Sequence, residues 1–295
     1  MVVMEVSVWL RTASTRSKCM IDDSRAAGVR PYPPFVGITH DEAVCLRHRD
    51  WSETSQTVIL LTRSHGLLNG LAKGSKRERA AFSGGFELLQ RGQVGFIRRP
   101  DRDLLTLTEW DLLDAHAGLR SRYRPAVLAM FAAEMTASLL APGDPHPRAF
   151  EAMCGMLSAS ASSGCVGAGP DCEPFTRYMV SLLDEAGHLP DLRPGAGVGG
   201  GVLLFDPARG RFVEPSAGRV PASDPFGVSG DGEVWPIRAE TAGLLMRAVR
   251  GIVGAGEAEA GVVWVRACRF LAAWGVYRSG RRPSSLSSFL RITRD

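Results

Sequence analysis

Between residues 41 and 113 apolar and polar positions fall into five short runs with the period of half-buried strands. Residues 43–46 read as a first strand, 57–62 as a second and 66–73 as a third. Residues 86–98 make a longer fourth, interrupted at Gly92 and Gly95, and 104–113 a fifth with alternating threonines. Isolated glycines inside a strand pattern mark bulges at which a sheet curls. Five short strands bent in this way predict a small closed barrel of the oligonucleotide-binding (OB) type.

Beyond residue 114 the period lengthens. Leu119, Tyr123, Val127, Met130, Phe131, Glu134 and Leu139 stand at three- and four-residue steps, predicting one long amphipathic helix over 118–140 that ends before Pro142-Gly143. Further helices are expected over 147–159 and over 173–186, the latter with Phe175, Tyr178, Met179, Leu182 and Leu183 on one face. Between them, residues 158–170 are rich in Ser, Gly and Ala and read as a flexible loop. Two more helices, 238–252 and 261–277, turn Ala242, Leu245, Met246, Val249 and Ile252, then Val265, Cys268, Leu271, Ala272 and Val276, inward. A glycine-rich stretch interrupts the helices. Gly195, Gly197 and Gly200 match G-x-G-x-x-G, but a proline precedes and a strand-like run at 202–205 follows, so the strand-then-helix setting of a dinucleotide site is missing. A short hairpin over 203–219 is expected instead.

The fold class expected is therefore α+β: an N-terminal five-stranded OB-fold barrel, then an α-helical domain carrying a small glycine-rich hairpin insertion. Residues 1–38, rich in Ser, Thr, Arg and Pro, read as a disordered extension or as a start assigned too early, with Met20 an internal alternative. The barrel domain spans 39–115 and the helical domain 116–295, with the insertion at about 188–235.

Charge changes the picture only through its distribution. The net charge of +4 is mild for 295 residues. From Arg63 to Arg102, however, nine basic residues (Arg63, Lys73, Lys76, Arg77, Arg79, Arg91, Arg98, Arg99, Arg102) face three acidic ones. Lys73, Lys76, Arg77 and Arg79 surround Gly74, where a flexible backbone follows a phosphodiester chain and each cation releases condensed counterions. With Arg63 and Arg91 they are the candidate DNA-binding cations. Stacking adds to single-strand binding, and Trp51, in the turn before the second strand, is the candidate; Phe82, Phe86 and Phe96 read as core. Backbone-driven binding without a base code follows.

No catalytic machinery is legible. The six histidines (His40, His48, His65, His116, His146, His188) sit in no nucleophile, metal or phosphate motif, and there is no G-x-S-x-G, Walker loop or H-E-x-x-H. The six cysteines are never spaced Cys-x-x-Cys; Cys45 and Cys268 read as buried thiols, and Cys165 with Cys172 lacks the second pair a zinc site needs. No cofactor or metal is expected. The opening residues lack a secretory signal and no run is long enough to span a bilayer, so a reducing cytoplasm, in association with the nucleoid, is the expected location.

Asp50-Trp51-Ser52-Glu53-Thr54-Ser55, Leu61-Thr62-Arg63, His65-Gly66-Leu67, Ala72-Lys73-Gly74-Ser75-Lys76-Arg77 and Leu107-Thr108-Glu109 follow one another in an order that resembles the N-terminal domain of the RecO family of bacterial recombination mediators. The resemblance continues over most of residues 41–292. Many family members hold zinc on four cysteines in the insertion; this sequence has none between 189 and 261, so it resembles the zinc-free branch. What the resemblance implies is a protein of DNA repair that binds single- and double-stranded DNA and anneals complementary strands. With RecR it helps RecA load onto strands coated by single-strand-binding protein, whose acidic C-terminal tail docks on the helical domain. Arg120, Arg122 and Arg124, beside the Tyr123 face, are the cations expected to meet that tail. A protein-only adaptor and an RNA-binding barrel are the alternatives.

Overall fold

The alternating runs fold as β1 (Thr39–Asp50), β2 (Gln56–Thr62), β3 (Gly66–Ala72), β4 (Arg91–Ile97) and β5 (Leu105–Asp114) in a computed structural model. It describes residues 37–78, 81–99, 104–162, 167–193, 201–214, 220–221, 225–226, 233–252 and 261–294. The strands close into a barrel in the order β1-β2-β3-β5-β4, in which β3 and β5 run parallel and the other neighbours antiparallel. Ala43, Cys45, Val58, Leu60, Leu68, Val94, Phe96, Leu107 and Trp110 fill its interior, removing their apolar surface from water. The α+β class and the OB-type barrel stand as expected.

The fourth strand starts at Arg91, not at residue 86. Phe82 and Phe86 plug the barrel beside Trp110. The Gln56 carboxamide holds the Phe86 backbone from both sides, accepting from its N–H at 3.0 Å and donating to its carbonyl at 3.1 Å. Residues 81–90 are thus an anchored plug whose apolar positions imitate a strand.

The first strand carries one irregularity. Cys45 pairs with Leu60 but Arg47 pairs with Ile59, so Leu46 is an extra residue in the ladder. Such a bulge resets which side chains face outward. Val44 and Leu46 join the core shared with the helices, and Arg47 and Arg49 then lie exposed in register with Ile59 and Thr57.

The helices are α1 (Ala117–Arg120), α2 (Tyr123–Leu139), α3 (Pro147–Ser162) and α4 (Ala168–Glu185), then α5 (Ala239–Val249), α6 (Gly261–Ser279) and α7 (Leu286–Ile292). The long helix expected over 118–140 is two, because Arg122 is extended at φ −130°, ψ 109°. Pro125 explains the break: an unbroken helix needs its missing N–H to reach the Ser121 carbonyl. Tyr123 and Met130, expected on the core face, are exposed, as are Val249 at the end of α5 and Ile252, which lies beyond it and not within the helix expected over 238–252. The flexible loop expected over 158–170 is largely helical, since α3 runs to Ser162 and α4 starts at Ala168.

The insertion begins as a hairpin, β6 (Val202–Asp206) with β7 (Arg211–Val213), and a four-stranded sheet in the order β7-β6-β9-β8 is completed by β8 (Val220–Pro221) and β9 (Glu233–Arg238). The hairpin is shorter than expected, and β9 has no clear sequence signal because Pro236 obscures the strand pattern. Phe205 and Trp235 pack against Phe270 and Trp274 of α6, so an aromatic cluster ties the sheet to the helical body. Phe289 of α7 stacks on Phe131 with ring centroids 4.3 Å apart, returning the tail to the core. Among the described residues no helix is long and apolar enough to cross a membrane. The extension through residue 36, the glycines at 195–200, Cys19 and Cys165 lie outside the described residues.

Candidate nucleic-acid interface

At Ala72 the third strand ends and the chain turns through Gly74, whose φ of +67° is a left-handed backbone that glycine adopts without a Cβ penalty. The loop is strapped to the turn between β1 and β2 at three points. Gly74 donates its N–H to the Ser55 hydroxyl at 3.1 Å, Lys76 donates its N–H to the Thr54 carbonyl at 3.1 Å, and the buried Ser75 hydroxyl donates to Gln56 Oε1 at 3.0 Å. Because Ser75 is fully buried between them, Lys73, Lys76 and Arg77 are displayed outward from a fixed backbone.

These cations are not equivalent. Lys73 and Arg77 are exposed and have no ion pair among the described residues, whereas Lys76 pairs with Asp50 at 2.6 Å. Arg79 lies outside the described residues. Trp51, 67 % exposed, stands in the turn to which the loop is bound. Phe82, Phe86 and Phe96 are buried in the barrel, as read from the sequence.

Arg63 and Arg91 are elsewhere and otherwise engaged. Both pair with Glu42, and Arg63 also pairs with Glu151 of α3 while its guanidinium lies 4.9 Å from the Phe150 ring centroid. Burial pushes the Glu42 carboxyl up, but hydrogen bonds from Arg63 and Arg91 and their charges outweigh it and hold the group below its ordinary value. The two arginines and Glu42 thus form a joint between barrel and helices, with most of their charge compensated.

The arginines expected to meet a partner's tail are likewise committed. Arg120 pairs with Glu87 at 2.7 Å, Arg122 with Asp171 at 2.6 Å, and Arg124 donates to the Ile292 carbonyl at 3.2 Å. Asp171 is buried, and that burial raises its pKa despite Arg122 and Arg124. Arg122 and Arg124 hold the α1–α2 break, α4 and the C-terminal segment together, while Arg120, in its pair with Glu87, and Tyr123, 58 % exposed, are presented to solvent.

Two concave sites escape sequence reasoning. A groove of about 470 Å³ between barrel and helices is lined by Arg47, His48, Ile59, Met130, Arg281 and Arg282. Its signal is present as the alternating cations at 47 and 49 and the pair at 281–282. A second cavity, about 350 Å³, lies where β9 meets α5 and α6, lined by Trp235, Ile237, Arg238, Thr241, Arg266 and Phe270. The Thr241 hydroxyl beside it is buried with no hydrogen-bond partner among the described residues. Among the described residues no three His, Cys, Asp or Glu side chains are grouped to hold a metal.

The geometry can be set beside known proteins. The family described as "Recombination protein O N terminal" matches residues 37–116, the span of the barrel. Over 243 residues the chain is 29% identical to the DNA repair protein RecO of Anaeromyxobacter sp. (strain Fw109-5), covering 80% of this chain and 90% of that protein. It is 34% identical over 113 residues to the DNA repair protein RecO of Salinibacter ruber, covering 38% of this chain and 44% of that one. The DNA repair protein RecO of Rhodopirellula baltica is 31% identical over 148 residues, covering 50% of this chain and 53% of its own length.

Proposed function

We propose that this chain, similar over its barrel to the recombination protein O N-terminal family and over most of its length to DNA repair proteins RecO, is a non-enzymatic mediator of repair and recombination that binds single- and double-stranded DNA and anneals complementary strands. The observation that carries the reading is the loop after β3: Lys73 and Arg77 stand exposed, without an ion pair among the described residues, on a backbone strapped to the turn that displays Trp51. A fixed cationic loop binds phosphates with little ordering cost, and screening two phosphate chains on one surface lowers the repulsion that slows their pairing. Lys76 stands in the same loop but is paired with Asp50, and Arg79 adds a cation two positions after Arg77 in the sequence.

In this reading Arg63 and Arg91 support the barrel's seat on the helices and act on DNA only through it. The protein works in the cytoplasm on the nucleoid, in the zinc-free manner of its branch, with RecR and, indirectly, RecA as partners. The acidic C-terminal tail of the single-strand-binding protein docks in the cavity of Trp235, Ile237, Arg238, Arg266 and Phe270 rather than at Arg120, Arg122 and Arg124. An apolar floor rimmed by guanidinium groups supports that assignment, since it suits a chain end that is both acidic and hydrophobic.

The test is a strand-annealing assay at low salt with the full chain and with Lys73→Ala/Arg77→Ala. The variant is expected to anneal markedly more slowly and to bind single-stranded DNA with a flatter salt dependence, by about 0.7 in log–log slope for each phosphate no longer neutralised. Equal rates and equal slopes in the two proteins would refute the site.

A further inference from the structure

The groove between barrel and helices adjoins the proposed DNA loop through an unbroken row of residues. From the groove, Arg47 and Arg49 follow β1 on the outward register set by the bulge at Leu46, paired with Ile59 and Thr57. Two positions further is Trp51, 67 % exposed, in the turn that carries the Lys73–Arg77 loop. On the other wall Arg281 and Arg282 are exposed, immediately before Pro283. None of these four arginines has an ion pair among the described residues, in contrast to Arg63, Lys76, Arg91 and the arginines of the α1–α2 region.

The groove's single acid is already engaged. Glu134 accepts hydrogen bonds from the Ser284 hydroxyl and from the Ser285 N–H and hydroxyl, the latter two at 3.3 Å. These bonds fix the orientation of its carboxylate and pin the segment that carries Arg281 and Arg282, so the groove holds one acid against three lining arginines. The floor between the cationic walls is apolar, made by Ile59, Leu88, Met130 and Ala133. A smaller hollow shares Arg47 and Ile59 with the groove and continues over Arg49, Thr57, Asn69 and Leu104 of the barrel surface.

We propose that a single strand of DNA runs from the Lys73–Arg77 loop past Trp51, along Arg49 and Arg47, and into the groove closed by Arg281 and Arg282. The inference rests on the DNA-binding reading above and adds a path and a terminus to it. Charge complementarity over distance favours this occupant. Strand residues two apart are separated by about 7 Å, so the free cations form a line rather than a point, and a line with an apolar floor fits a flexible polyanion whose bases turn from water onto Trp51 and the aliphatic side chains. A stiff duplex cannot enter a groove of about 470 Å³, so this path distinguishes single from double strands, which the loop alone does not.

The experiment uses the full chain, fluorescence anisotropy across a range of salt, and two labelled probes: a thirty-nucleotide oligothymidylate and a duplex of equal length. Arg47→Ala/Arg49→Ala/Arg281→Ala/Arg282→Ala is expected to lose at least tenfold in affinity for the single strand, to lose about 2–3 from its log–log salt slope, and to bind the duplex nearly as the parent does. The same four positions changed to Lys keep the slope, because the cations act there as point charges. In the parent, single-stranded DNA also shields an iodide-quenchable tryptophan emission that Trp51→Phe lacks. If the quadruple variant keeps parental affinity and slope while Lys73→Ala/Arg77→Ala does not, the path is wrong and the DNA-binding reading survives. If neither variant differs from the parent, both fall. Displacement of the single strand from the Lys73→Ala/Arg77→Ala protein by an acidic peptide but not by excess unlabelled oligothymidylate would make the groove a peptide site and overturn the path.

Discussion

Glu42 decides how two of the barrel's cations behave. It sits on β1 with 16% of its side chain exposed and receives Arg63 and Arg91 together. Replacing it by Gln removes charge-assisted hydrogen bonds, each worth about 1.5–3 kcal/mol; partial exposure of Arg63 discounts that, and we expect a loss of about 1–3 kcal/mol in urea melts. The pH dependence follows in sign. Its folded pKa lies below the ordinary value of 4.5, so the stability it contributes is present above that value and is lost as the pH falls through the depressed one. Glu42→Gln should therefore flatten the acid limb of a stability-against-pH curve, and an unchanged limb would contradict the joint. Gly66 is the second informative residue. Its φ is +66°, and a Cβ there would collide with the Asp144 backbone carbonyl. Gly66→Ala should cost at least the roughly 1–2 kcal/mol of a left-handed backbone, with the clash added; a thermal melt indistinguishable from the parent's would show that the barrel does not seat on the α2–α3 connection as described.

At the scale of elements, the break between α1 and α2 shows what sequence periodicity carries and what it does not. The apolar steps from Leu119 onward predict a helix, and helices form there; Pro125 holds the signal of the break but is outweighed by the period. The barrel is legible because strand burial leaves a short-range alternation, and the plug at residues 81–90 reads as strand because its phenylalanines serve the same core from a non-strand backbone. The cationic loop is legible as charge, but which cations are free is not, since Asp50, Glu42, Glu87 and Asp171 reach their partners through the fold. Arg47, Arg49, Arg281 and Arg282 escape notice for the converse reason: in sequence they are scattered, and the bulge at Leu46 is what turns the first two outward. The break is stapled, and the staple is testable. Asp171 has 4% of its side chain exposed against Arg122, and removing one partner of a buried pair costs about 3–5 kcal/mol. Arg122→Ala should be destabilised by somewhat less than that, since Arg124 stays 3.8 Å from Asp171, and Arg122→Ala/Asp171→Asn by less again, because the poorly compensated charge is gone. A double variant as unstable as the single one would mean that Arg122 acts through packing and not through its charge.

For the whole molecule, the two cationic surfaces belong to different elements and should be separable. The DNA path is built on β1, the loop after β3 and the segment before α7, while the cavity proposed for the acidic tail is built on β9, α5 and α6. Arg266 is paired with Glu240 at 2.6 Å and Arg269 donates to the Thr293 carbonyl at 3.1 Å, whereas Arg238 has neither an ion pair nor a side-chain hydrogen bond among the described residues. Reversing it in Arg238→Glu places a like charge at the mouth, and a single well-placed charged hydrogen bond is worth enough to lower affinity for an acidic, hydrophobic tail peptide about tenfold, a change of about 1.4 kcal/mol. The same variant should bind single-stranded DNA as the parent does, and Lys73→Ala/Arg77→Ala should bind the peptide as the parent does. Isothermal titration of both ligands on both variants gives four numbers that must fall on this diagonal. If Arg238→Glu instead weakens DNA and leaves the peptide untouched, the cavity is part of the DNA surface, and the division of labour between barrel and helical body must be redrawn.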